Sequence, residues 1–117
     1  MKENILDNDQ FAVNCQAYLE HIKNDYLDWS RRGGGDPAIR QEMAKEFCVS
    51  VHMVRGTKYI KVVAGRSVHS FIVVKPDAKF KFGDILKPAS WAAPARNFAR
   101  GNIAAGNFGN ATWTGAH

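Results

Sequence analysis

The spacing of apolar residues changes once along this sequence, and the change restricts the chain to a mixed helix-and-sheet fold. Between Asn8 and Trp29 the apolar positions include Phe11, Cys15, Tyr18, Leu19, Ile22, Tyr26 and Trp29. Intervals of three and four place them on one helical face, with Gln16, Glu20, Lys23, Asn24 and Asp28 on the other. The spacing predicts a helix over about residues 8–30, capped by Asp7 or Asn8. Arg31, Arg32 and three glycines end it, with the cations at the negative end of the dipole. From Lys58 onward the pattern is strand-like instead.

Asp36-Pro37 reads as an N-cap followed by proline at the first helical position. Ile39, Met43, Phe47, Val51 and Val54 recur at helical spacing, and Gly56 suits the left-handed residue after a helix. The run Val49–Met53 also alternates as a strand would. The signals at both ends favour a single helix over 37–55. Three strands are expected next: 58–64, 67–75 and 79–87, with hairpin links at Gly65-Arg66 and Pro76-Asp77-Ala78. The expected fold is α+β, two N-terminal helices on one face of a three-stranded antiparallel sheet. Phe11, Leu19, Ile22, Met43, Phe47, Ile60, Val62, Ile72, Val74, Phe80 and Phe82 are its expected core. Residues 1–103 form one domain in this reading. Residues 104–117 form a Gly/Asn-rich tail that is mobile or laid on another surface.

Charge divides the chain differently. Residues 1–50 hold six Lys/Arg against nine Asp/Glu, a net of −3, and residues 51–117 hold ten against two, a net of +8. An anionic partner for the second half follows, or attraction between the halves. No apolar run is long enough to span a membrane, and MKENILDNDQ lacks the pattern of a secretory signal. Cys15 and Cys48 are too few and too distant for a zinc site or disulfide framework and are expected as small buried thiols in a reducing cytoplasm.

Catalytic chemistry finds little to use. His21, His52, His69 and His117 lack ligand-like neighbours, so no metal or cofactor is expected. Asp84 next to Gly83 reads as a bend in a strand rather than an acid–base group. Gly33-Gly34-Gly35 lacks the preceding strand and the Lys-Ser/Thr of a phosphate loop. No catalytic residue is assigned, and no enzyme is expected.

The segment KPASWAAPARNFARGNI, Lys87 to Ile103, is the most unusual stretch. A short helix over Pro94–Arg100 would put Arg96 and Arg100 on one face. With Lys79, Lys81 and Lys87 nearby and Trp91 between the groups, cations and a ring suit a nucleic-acid strand. In the competing reading, Trp91 plugs a core and the arginines pair with the acidic helices. The runs KYIKVV, SVHSFIV and GDILKPASWAAPARNFARGNI resemble a group of small tailed-bacteriophage proteins, over Lys58 to Ile103. The resemblance implies a phage source, a bacterial host cytoplasm or a place in the virion, and no particular activity. Expectation therefore centres on a non-enzymatic protein binding nucleic acid through Lys79, Lys81, Lys87, Trp91, Arg96 and Arg100. The alternatives are a stoichiometric inhibitor of a host or defence protein, meeting an acidic surface, and a minor virion or assembly protein. Homo-oligomerisation is compatible with each.

Overall fold

The apolar stripe of the first segment forms helix α1 (Lys2–Arg32) in the computed structural model. The structure describes the backbone of residues 2–117 and the side chains of residues 10–117. The helix starts earlier than the stripe suggests, so Asp7 and Asn8 lie inside it rather than capping it. Arg31 and Arg32 occupy its last turn, and Gly33 donates its N–H to the Ser30 carbonyl. Phe11, Tyr18, Ile22 and Tyr26 are buried along the stripe, each contributing roughly 1.5–3 kcal/mol if fully withdrawn from water.

Helix α2 (Pro37–Ser50) begins as its cap predicts: the Asp36 carboxylate accepts from the Ala38 N–H at 2.8 Å. It ends earlier than expected. At Val51 the backbone turns extended, and His52–Arg55 form a strand, β1, rather than the last turns of a helix over 37–55. The β-branched run prevails because it completes a ladder, with His52 opposite Val63 and Arg55 opposite Ile60 in β2 (Tyr59–Ala64). Gly56 then serves a turn, not a helix end. Its N–H donates to the Tyr59 carbonyl, and a Cβ there would sit 2.8 Å from that oxygen.

β3 (Ser67–Val73), β4 (Asp84–Leu86) and β5 (Gly101–Asn102) complete an antiparallel sheet in the order β1-β2-β3-β4-β5. Five strands replace the three expected. The strand expected over 79–87 survives only as β4. Upstream, the Asp77 carboxylate accepts from the N–H groups of Lys79 and Phe80, folding that stretch into a turn. Gly83 has φ of +89°, and a Cβ there would lie 2.8 Å from the Ala104 nitrogen.

Both sheet faces are covered. Ile60, Val62, Ile72 and Ile85 meet α1 in the main core. On the reverse face Phe71, Val73, Leu86 and Phe80 form a second cluster, with Tyr59 and Val68 at its margin. Two expected core residues are corrected: Met43 is half exposed on α2, and Phe82 lies at the surface in the turn, stacked obliquely on Phe11. Leu19, Phe47 and Val74 are partly buried, and both cysteines are half-buried free thiols.

The tail is laid on the core. Phe108 packs edge-on to Tyr18, and Trp113 enters a cluster with Tyr26, Trp29 and Phe47. The Trp113 N–H donates to the Asp25 carboxylate at 2.9 Å. Ala111 and Ala116 are buried. No described helix is long and apolar enough to cross a membrane.

Candidate functional site

The two prolines at the ends of KPASWAAP determine what the unusual segment becomes. Neither offers an N–H, and Pro94–Arg100 forms no helix, contrary to expectation. Pro88 and Pro94 face each other in an isolated bridge, the Ala95 N–H donates to the Lys87 carbonyl, and the Arg100 N–H donates to that of Ile85. Ala89 and Ser90 both donate to the Ala93 carbonyl, closing a tight loop with Trp91 at its tip.

Trp91 is therefore not a plug. It is 56% exposed, and the Lys61 ammonium lies 4.6 Å from the ring centroid. Lys61 reaches it because it alternates with Ile60 and Val62 on β2 and points away from the helices. A second pair lies further along the segment. Phe98 is 57% exposed, and the Arg100 guanidinium sits 3.9 Å from its centroid. Each exposed ring thus carries a cation on one face.

Arg96 is engaged within the protein. Its Nη2 donates to Asp77 Oδ2 at 2.6 Å, its Nη1 donates to the Tyr59 hydroxyl, and its guanidinium covers the Phe80 ring at 4.9 Å. Lys58 Nζ reaches the same Asp77 oxygen at 3.1 Å. The Phe80 N–H, then the Lys79 N–H, then Arg96 and Lys58 hold the Asp77 carboxyl well below the usual carboxylate range. Asp77 raises the Arg96 guanidinium in turn. The arginine pairs not with the acidic helices but with the one carboxylate of the turn.

The six expected site residues are thus only partly gathered. Lys79 donates through Nζ to the Arg96 carbonyl, so these two converge over Phe80. Lys87 leads into the Trp91 loop and is exposed, while Lys81 is exposed on the turn before β4. Neither lysine has a carboxylate partner among the described residues. Sequence reading missed Lys61 and Phe98. The strand alternation that placed Ile60 and Val62 inward also placed Lys61 outward, and could have found it.

A buried polar cluster was missed as well. β3 pairs Ser70 with Val62 but Val68 with Val63, so His69 is one residue too many. Such a bulge re-aims a side chain. Here it turns His69 to the helix side, beside Tyr18. His69 Nε2 lies 2.6 Å from the Thr112 carbonyl, which can only accept, so this nitrogen carries the proton. Nδ1 then accepts from the Ser70 hydroxyl at 2.9 Å, and Ser70 accepts from Tyr18 at 2.8 Å. Burial pushes the His69 pKa down and the Tyr18 pKa up. A serine beside an oriented histidine resembles a nucleophilic pair, but Ser70 and Tyr18 are fully buried. No substrate reaches them. The cluster is a strut joining α1, β3 and the tail, and no group of described residues could hold a metal ion.

No curated protein and no solved structure shows a significant match to this chain. A family model does match, over residues 3–117, which is almost the whole length. The chain belongs to the family of unknown function DUF7717.

Proposed function

We propose that this protein binds nucleic acid, single strands in preference to duplex, as a non-enzymatic phage-encoded factor in the bacterial host cytoplasm. The observation that carries the reading is the pair of exposed aromatic rings, Trp91 and Phe98, each backed by a cation from Lys61 or Arg100. Rings of this kind stack on bases of any sequence, and the adjacent ammonium and guanidinium groups meet phosphates. Lys79, Lys81 and Lys87 add positive charge to the same basic half. Arg96 supports the surface from within by holding the return segment to the Asp77 turn.

Fluorescence anisotropy with labelled single-stranded and duplex oligonucleotides at low salt tests the proposal. Wild type is expected to bind the single strand more tightly, and Trp91→Ala to cost about 1–3 kcal/mol of that affinity. The melting temperature of the variant should stay nearly unchanged. Failure of the wild type to bind either form at low salt overturns the reading. The charge would then point to an acidic surface on a host or phage protein.

A further inference from the structure

We propose that the free edge of β1 and the groove beside it accept a sixth strand from another protein, an extended segment that alternates apolar and acidic residues. β1 ends the sheet order, and its ladder runs on one side only, to β2. The strand is His-Met-Val-Arg, with neither a proline nor a bulge to blunt the edge. Between α1 and this edge lies a groove of about 610 Å³. One wall is α1, where Ala12, Gln16 and Leu19 follow at spacings of four and three beside the apolar Phe11 and Cys15. The other wall is Met53 and Arg55, which oppose Val62 and Ile60 and so point to the helix side of the sheet.

A strand hydrogen-bonded to β1 would lie about 4.8 Å outside it and send every second side chain into this groove. The apolar walls receive the apolar members of that segment. Arg55 selects for acid: it is the one charged side chain lining the groove, and residues 51–58 contain no carboxylate to neutralise it. A second copy of this chain is the poorer occupant. β1 itself reads His-Met-Val-Arg and carries no carboxylate to meet Arg55 of a facing copy. Nucleic acid offers no peptide groups to pair with the edge. Strand addition of this kind draws affinity from the main chain and specificity from alternate side-chain pockets. The site is separate from the Lys61 and Trp91 surface, which lies on the reverse face.

The test uses the full chain and two labelled peptides roughly ten residues long, one alternating valine with glutamate and one valine with lysine. The glutamate peptide should bind saturably and slow hydrogen exchange at the amides of His52–Arg55, while the lysine peptide should not bind. Arg55→Glu should lower affinity for the glutamate peptide about tenfold or more and reverse the preference. Gln16→Trp, at an exposed helix position, should block binding by filling the groove, which keeps the proposal testable if Arg55→Glu misfolds. Equal binding of both peptides, protection confined to other strands, or a dimer abolished by Gln16→Trp would each overturn it.

Discussion

A buried histidine gives the sharpest prediction at the scale of single residues. His69 is neutral in the folded protein because burial lowers its pKa from the ordinary 6.5, with the Thr112 carbonyl opposing and His117 and His21 adding to the depression. The unfolded chain therefore binds more protons than the folded one below that value. The stability tied to the neutral ring is fully present above about pH 6.5 and is lost as pH falls through the depressed folded value. The decline can reach about 1.4 kcal/mol per pH unit. Protonation also turns Nδ1 into a donor, leaving the Ser70 hydroxyl without its acceptor. Urea midpoints between pH 7.5 and 5.5 should fall for wild type and change much less for His69→Gln, from a lower starting stability. Parallel slopes for the two proteins would show that His69 does not carry the effect. Sequence alone could not place this residue. A His-Ser pair in an apolar strand marks a strand with something polar to satisfy, but only the bulge tells which face the ring takes.

The elements themselves were legible wherever one physical signal dominated. The α1 stripe, the Asp36-Pro37 cap and the two strands joined at Gly65-Arg66 all form as their patterns dictate. The failures lie where two local templates fit the same residues or where a partner distant in sequence decides. Val49–Met53 satisfied both helix and strand spacing, and the waiting edge of β2 settled it, with the strand running over His52–Arg55. Pro94–Arg100 had helical composition, yet carbonyls of Lys87 and Ile85 captured its N–H groups. The tail, rich in Gly, Asn and Ala, reads as either mobile or laid on another surface, and composition does not choose between the two. Its glycines allow close approaches: at Gly109, with φ of +60°, a Cβ would sit 1.8 Å from the Arg100 carbonyl oxygen. Two tryptophans separate these environments experimentally. Trp113→Ala removes a partly buried ring from contact with Tyr26, Trp29 and Phe47 and should destabilise by roughly 2–3 kcal/mol. Trp91→Ala should shift the melting temperature little. Thermal denaturation of both variants checks the contrast, and equal shifts would contradict the assignment of the tail to the core.

Across the whole molecule, the uneven charge of the sequence becomes an uneven surface. The acidic half is the helical layer on one face of the sheet. Of the two carboxylates in the basic half, Asp77 is taken up by Lys58 and Arg96, and Asp84 accepts from the Lys81 backbone and Asn102. Lys61, Lys79, Lys81, Lys87 and Arg100 have no carboxylate partner among the described residues, whereas Arg96 is paired with Asp77. Site residues chosen by charge type alone could not make this distinction, because it depends on which cation the Asp77 turn captures. The variants should therefore fall into two groups. Lys61→Ala, Lys87→Ala and Arg100→Ala should leave thermal stability nearly intact and weaken nucleic-acid binding similarly across sequences. Each should reduce the slope of log affinity against log salt by roughly one per lost phosphate contact. Arg96→Ala should lower the melting temperature, because it frees the return segment from Asp77, Tyr59 and Phe80. Its salt slope should stay close to that of wild type once the folded fraction is accounted for. Titrations at several salt concentrations, paired with melting curves on the same preparations, read both quantities. A full one-unit loss of slope in Arg96→Ala without loss of stability would make this arginine a phosphate contact and remove the clasp from the account.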